Sequence, residues 1–204
     1  MRSYADNRWP LALRASRRIR AQPSTEITHP ICLGGLVFDR RYGPVFKRRR
    51  HTVTTSGSEL VITRTFNAPA DPVFEVMTKP EHIRKWWGAG HGSVTTCDVD
   101  LQGGEAWHFA LRTDSFDEVS FSGHYRQIDR PDHLVHTERF DNIASPYSVI
   151  DTTYTETGGS TELRAVITYD SPQTVQAVIG SGMESGLQSG YDAINEILVQ
   201  LVAA

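Results

Sequence analysis

Residues 60–66, Leu-Val-Ile-Thr-Arg-Thr-Phe, are rich in β-branched side chains and close on Asn67-Ala-Pro-Ala70, the pattern of a strand ending at a turn. Asp71 followed by Pro72 predicts a helix start, with Asp71 as the cap and the proline in the first turn, where its missing N–H leaves nothing unpaired. Val73, Phe74, Val76 and Met77 supply its apolar stripe. A second short helix is expected from Thr78 and Glu81, spaced as a capping box; it carries Ile83, Trp86 and Trp87 until residues 88–93, rich in glycine, stop it. The period then changes from helical to two. Strands are expected at 94–101 and 105–112 around Gly103-Gly104, with Trp107, Phe109 and Leu111 on one face and His108, Ala110 and Arg112 on the other. Val119, Phe121, Gly123 and Tyr125 alternate after the acidic turn 114–118, residues 134–140 form a further strand, and 149–157 and 161–170 form a hairpin around Gly158-Gly159. Ser171-Pro172 opens one long helix of about 30 residues, roughly 45 Å at ~1.5 Å per residue. Its apolar positions Val175, Ile179, Met183, Leu187, Ile194, Leu198 and Leu201 mark a single buried face.

The order strand, two short helices, about six strands, long helix predicts an α+β helix-grip fold, a curved antiparallel sheet wrapped around the C-terminal helix. The charge along the chain divides it further. Up to Arg50 there are twelve basic side chains against Asp6, Glu26 and Asp39, a net of +9; from His51 onward nine basic face 21 acidic, a net of −12. The expected organisation is therefore a basic leader, 1–51, ahead of a folded domain, 52–204. An Arg-rich transit peptide and a phosphate-gripping arm built on Lys47-Arg48-Arg49-Arg50 are both compatible with the leader, but a disordered extension broken by Pro10, Pro23, Pro30 and Pro44 is the favoured reading. Val53 reads as a natural domain start, and the native product is expected to begin near it, the leader being a gene-model artefact. No apolar run approaches the ~20 residues of a spanning helix. Two distant cysteines, Cys32 and Cys97, build no disulfide framework, and a reducing, cytoplasmic setting is expected.

Several motifs carry a resemblance. Phe66-Asn-Ala-Pro-Ala-Asp-Pro-Val-Phe74, Pro80-Glu-His-Ile-Arg-Lys-Trp-Trp-Gly88, Gly103-Gly104 before an aromatic strand, Phe121-Ser-Gly-His-Tyr125, Val135-His-Thr-Glu138, Gly158-Gly-Ser-Thr-Glu-Leu163 and Ser181-Gly-Met-Glu-Ser-Gly186 occur in order. Over 59–201, about 70% of the chain, this resembles the START-like, birch-pollen-allergen-type superfamily (SRPBCC). Within it the likeness is to the family of activators of heat-shock protein ATPase homologues, loosely labelled polyketide-cyclase-like. The resemblance implies an internal cavity between the sheet and the last helix that holds a small apolar or aromatic molecule. As an alternative it implies a co-chaperone-like protein that stimulates a chaperone ATPase, with a place in the stress response.

Under the ligand-binding reading, Trp87, Trp107, Phe109, Phe121, Tyr125, Met183, Leu187 and Tyr191 are the candidate lining. Gly182, Gly186 and Gly190 recur every four residues on the last helix, leaving space for a ligand or for a large residue such as Trp107, or simply allowing close packing or a kink. Trp86-Trp87 either gates the cavity mouth or closes the core. A cyclase- or hydratase-like enzyme is the alternative, with His108, His136 and Glu138 as acid–base candidates. His136 and Glu138 share a strand face, but the mixed polarity of 134–139 leaves both inward and outward orientations open. Histidine spacing supports no metal site, no cofactor is expected, and neither a nucleophile elbow nor a dinucleotide or phosphate loop is present. Nucleic acid is not an expected partner.

Overall fold

The computed structural model describes residues 37–39, 43–45, 51–101, 106–113 and 118–203. Two short strands, β1 (Val37–Asp39) and β2 (Gly43–Val45), pair as a hairpin. The main sheet begins with β3 (Thr52–Ser56) and β4 (Glu59–Phe66), followed by helices α1 (Ala70–Thr78) and α2 (Pro80–Trp86). Six further strands follow: β5 (Gly92–Val99), β6 (Ala106–Thr113), β7 (Val119–Asp129), β8 (His133–Phe140), β9 (Ser148–Thr157) and β10 (Ser160–Thr168). Helices α3 (Pro172–Gly180) and α4 (Met183–Val202) complete the fold. The remainder of the basic leader with Cys32, the Gly103-Gly104 turn and residues 114–117 of the acidic turn lie outside the described residues.

The sheet is antiparallel throughout, in the order β3-β4-β10-β9-β8-β7-β6-β5. Period-two burial selects its inner face: Leu60, Ile62, Arg64 and Phe66 on β4, and Thr161, Leu163, Ala165 and Ile167 on β10. From β5 onward the chain is a meander, so β4 and β5 lie at opposite sides of the sheet and α1 and α2 must cross between them. Val73, Phe74 and Val76 of α1 and Ile83 of α2 are almost fully buried beneath that crossing. α4 packs on α1 and α2, and Tyr191 reaches past them to the Phe66 ring at 5.8 Å. This is the expected α+β helix-grip, and no helix among the described residues is long and apolar enough to cross a membrane.

Three local expectations are corrected. The sheet has an edge strand, β3, ahead of the first expected one; its signal was present in Thr52-Val-Thr-Thr followed by Ser56-Gly57, β-branched residues before a turn. The helix caps also differ. Pro69 occupies the cap position of α1, and the Ala70 N–H donates instead to Glu156 Oε2, 2.8 Å away on β9. Thr78 caps nothing in α2; its hydroxyl donates to Phe74 O within α1, at 2.7 Å. Lastly, the C-terminal helix is two helices. Ser171 caps α3 as expected, accepting from the Thr174 N–H at 3.2 Å, but the chain breaks at Ser181–Gly182, where Gly182 has φ 85°.

The three glycines of the expected stripe therefore do different things. Gly182 supplies the left-handed turn, which any side chain would strain. Gly190 lies against Trp86, whose Cε3 stands 3.7 Å from where a Cβ would be, and Gly186 faces open space. Gly182→Ala is expected to lower stability by about 1 kcal/mol, whereas Gly186→Ala should raise it by about 0.5–1 kcal/mol. Denaturant midpoints for the two variants check the pair, and equal shifts would contradict a break at 182.

Candidate functional site

The parity of β8 is settled by its pairing. Leu134, His136 and Glu138 point inward, where they stand beside Thr152, Ile150 and Ser148 of β9 in the antiparallel register. Inward residues here do not meet a solid core. They border a partly enclosed cavity of about 100 Å³. Its walls are Met77 from α1, Trp86 and Trp87 at the end of α2, Trp107 and Phe109 from β6, Tyr125 from β7, the three β8 residues, and Thr152 and Tyr154 from β9.

One aromatic anchor of this cavity depends on an interruption between β7 and β8. Pairing runs through Ser122↔Arg139 and resumes at Tyr125↔His136. In the gap the His124 N–H donates to Thr137 Oγ1 at 3.0 Å, and the Trp107 indole N–H crosses β7 to donate to Thr137 O at 3.1 Å. The crossing passes over Gly123, where a Cβ would lie 1.7 Å from Thr137 O and 2.7 Å from Trp107 Nε1. The Trp107 ring is thereby held edge-on to His136, 5.8 Å between centroids, and 4.7 Å from Phe109. Opposite, the Trp86 indole N–H donates to Val76 O at 2.9 Å, and Trp87 sets its ring across Phe109 and Phe121 at 5.4 and 5.6 Å. The tryptophan pair is thus a half-buried roof anchored from both sides.

Two ionisable side chains face into this aromatic enclosure. His136 Nδ1 is buried with no hydrogen-bond partner in the protein, and burial pushes the imidazole pKa down to about 4. Burial pushes the Glu138 carboxyl the other way, up to about 7. Near neutral pH the site therefore offers a neutral imidazole beside a carboxyl group poised between its two forms. Tyr125 and Tyr154 are held above the ordinary phenol range by the same desolvation. Such groups can bind the polar part of a ligand or pass a proton.

Of the residues expected from sequence, Trp87, Trp107, Phe109, Tyr125, His136 and Glu138 meet at the cavity. His108 does not: it falls between Trp107 and Phe109 on β6 and so faces away. Phe121 sits behind Trp87 and against Phe140, buttressing the wall without lining it. Met183, Leu187 and Tyr191 are also absent from the lining, because the cavity lies under α1 and α2 and not under α4; Trp86, lodged against Gly190, occupies the intervening space. Tyr191 instead packs on His51 and Phe66, with the Arg64 guanidinium 5.7 Å from its ring. Thr152 and Tyr154 were missed, although their period-two spacing with Ile150 marks the same face once that face is known.

A wider hollow of about 680 Å³ lies between β8 and β9, bounded by Arg139, Asp141 and the loop 142–145. It is open to solvent and lacks convergent buried groups, so the smaller enclosure is the candidate site. Among the described residues no three His, Cys, Asp or Glu side chains gather to hold a metal.

Replacing Gly123 by alanine is expected to cost about 3 kcal/mol or more, because backbone is what the new methyl meets; loss of cooperative unfolding would register it. The shifted groups carry a pH signature. Between about 4.5 and 7 the folded chain keeps the Glu138 proton that the unfolded chain has released, so this group's stabilisation is complete below 4.5 and is lost as pH rises through 7. His136 acts oppositely: the unfolded chain takes up its proton below 6.5 and the folded chain only near 4, so a penalty grows across that window as pH falls. Glu138→Gln removes the first effect alone. Its stability relative to the parent should rise by up to about 3 kcal/mol between pH 4.5 and 8, and a difference that stays flat with pH would place Glu138 outside the cavity.

Residues 67–199 match the family described as Activator of Hsp90 ATPase homolog 1-like protein. No curated protein matches the sequence. Among solved structures, a Rhodobacter sphaeroides protein superposes with a TM-score of 0.68 at 19% identity, over 74% of this chain and 99% of that one. Protein Ms6760 from Mycobacterium smegmatis gives 0.64 at 24%, over 72% and 97%. DynU16, described as a putative protein in the dynemicin biosynthetic locus, gives 0.52 at 16%, over 69% and 47%. At such identities these likenesses carry the fold alone. The family match covers well over half of the chain, from the turn after β4 into the last turns of α4, and it agrees with the helix-grip built above: this protein belongs to the Activator of Hsp90 ATPase homolog 1-like family.

Proposed function

We propose that this chain is a ligand-binding domain of its family, which takes a compact apolar or aromatic molecule bearing one polar group into the cavity beneath Trp86 and Trp87. The observation that carries this reading is the pairing of an aromatic wall with an inward polar atom that lacks a hydrogen-bond partner in the protein, His136 Nδ1. Buried polar atoms left unpaired are unfavourable by about 1–3 kcal/mol each, and a ligand's polar group relieves that. The volume limits the ligand. Drug-sized pockets span ~300–1,000 Å³, whereas an engineered cavity of ~150 Å³ takes a single benzene ring. A space of about 100 Å³ is tighter than that and suits at most one small ring or head group, or about three waters at ~30 Å³ each. DynU16's place in a biosynthetic locus accords with small-molecule chemistry, and the buried free thiol of Cys97 accords with a reducing, cytoplasmic setting.

A second reading, proton-transfer catalysis on the bound molecule, is favoured by the opposed shifts of His136 and Glu138 within one enclosure. Action on a chaperone ATPase, the role carried in the family's description, would use the outer surface and leave the cavity without a task.

Titration with phenol, 4-methylphenol and indole, followed by tryptophan fluorescence and amide NMR, tests the ligand reading. Saturable quenching with shifts at Tyr125, His136 and Thr152 is expected, and Thr152→Leu, which fills the space, should weaken binding at least tenfold while unfolding stays cooperative. Absence of saturable binding by all three compounds to the folded parent would sink it. Under the catalytic reading, His136→Gln spares binding and removes turnover.

A further inference from the structure

Resting on that cavity reading, we propose that the molecule it selects carries, beside the polar group that pairs with His136 Nδ1, a compact organic cation, a methylated ammonium, held by the aromatic walls and countered by Glu138. The wall is aromatic on several sides: Trp86, Trp87, Trp107, Phe109, Tyr125 and Tyr154 arrive from α2, β6, β7 and β9. Aromatic faces attract cations through the ring quadrupole, most strongly where water is excluded, and such boxes suit quaternary ammonium groups.

The charge inventory points the same way. Among the described residues that line the cavity, Glu138 is the one carboxylate and none is a lysine or arginine. The groups that face it are His136 on its own strand, Tyr125 on β7, Tyr154 on β9 and Tyr169 just beyond β10; the helices contribute Met77, Trp86 and Trp87, none of which titrates. Arg139, next in sequence, is engaged elsewhere, with Asp141 at 3.0 Å and the Tyr147 ring at 4.8 Å. An enclosed carboxylate is strongly disfavoured unless a cation accompanies it, and among the described residues none that lines the cavity supplies one. A bound cation completes the pair.

Chemistry and size narrow the cation. A primary ammonium brings three N–H donors that each need an acceptor, and these walls are mostly carbon. A methylated ammonium presents methyl groups to the rings and spreads its charge over them, and its head matches a space of about 100 Å³.

The test compares choline with 3,3-dimethyl-1-butanol, its uncharged carbon isostere, on the full chain by isothermal titration calorimetry at constant ionic strength. At pH 8 choline should bind at least tenfold more tightly than the alcohol, and Glu138→Gln should sharply reduce that preference, leaving only what the rings supply. On the unmutated protein, choline affinity should be level above pH 7 and fall about tenfold per unit below it, with roughly half a proton released per choline at pH 7. The pH profile needs no variant, so it decides even if Glu138→Gln misfolds. Equal or stronger binding of the alcohol, or no binding of choline, overturns the cation assignment. Phenol, run in parallel, then reports separately whether the cavity still takes a ligand.

Discussion

A curved antiparallel sheet has one apolar face that cannot be left to water, and the whole fold is organised by how that face is covered. β4 and β5 are six strand spacings apart, ~29 Å in a flat sheet at ~4.8 Å each. The chain between them must travel that distance, and α1 and α2 make the journey across the concave side. Their almost fully buried residues Val73, Phe74, Val76 and Ile83 are what hold the sheet in its wrap. α4 then lies on these helices and reaches the sheet through Tyr191. Because the crossing is made by two short helices, their junction and the end of α2 bring Trp86 and Trp87 over one part of the sheet, where the filling is incomplete.

That incomplete filling concentrates the chemistry. Two polar side chains of the inner face bond to backbone: the Thr161 hydroxyl donates to Ala68 O at 2.7 Å, and the Ser148 hydroxyl donates to Glu138 O at 3.1 Å. The side chains of His136 and Glu138 are not drawn into any ion pair of the described residues. The arrangement spends stability to keep two groups desolvated, which is the usual condition of a binding or proton-transfer site and an unusual one for a packed core. Gly123 has a matching role: by yielding its side-chain space it lets the Trp107 indole bond to Thr137 O, so the aromatic wall is fixed by the same strand pair that carries His136 and Glu138.

Much of this architecture was legible in the linear order of residues. Alternation at β6, β9 and β10, the Pro72 helix, Ser171 as a cap and the Gly158-Gly159 turn all arise from interactions within a few residues, and each stands where periodicity put it. The family likewise followed from motifs in order along the chain. Part of the candidate site was legible as well, since Trp87, Trp107, Phe109 and Tyr125 were marked by being large and aromatic on one strand face or at a helix end.

The rest depends on contacts between distant segments, to which local periodicity is blind. The Glu156 carboxylate accepts from the first backbone N–H of α1 across 86 residues of chain, so no capping pattern near Asp71 could reveal it. Gly182, Gly186 and Gly190 are identical letters at identical spacing, and only their surroundings make one a break, one a solvent position and one the seat of Trp86. Above all, alternation states that His136 and Glu138 share a face of β8 without stating which. Register against β9 chooses the inward one, and the desolvation that moves both pKa values exists only once the sheet has closed around them.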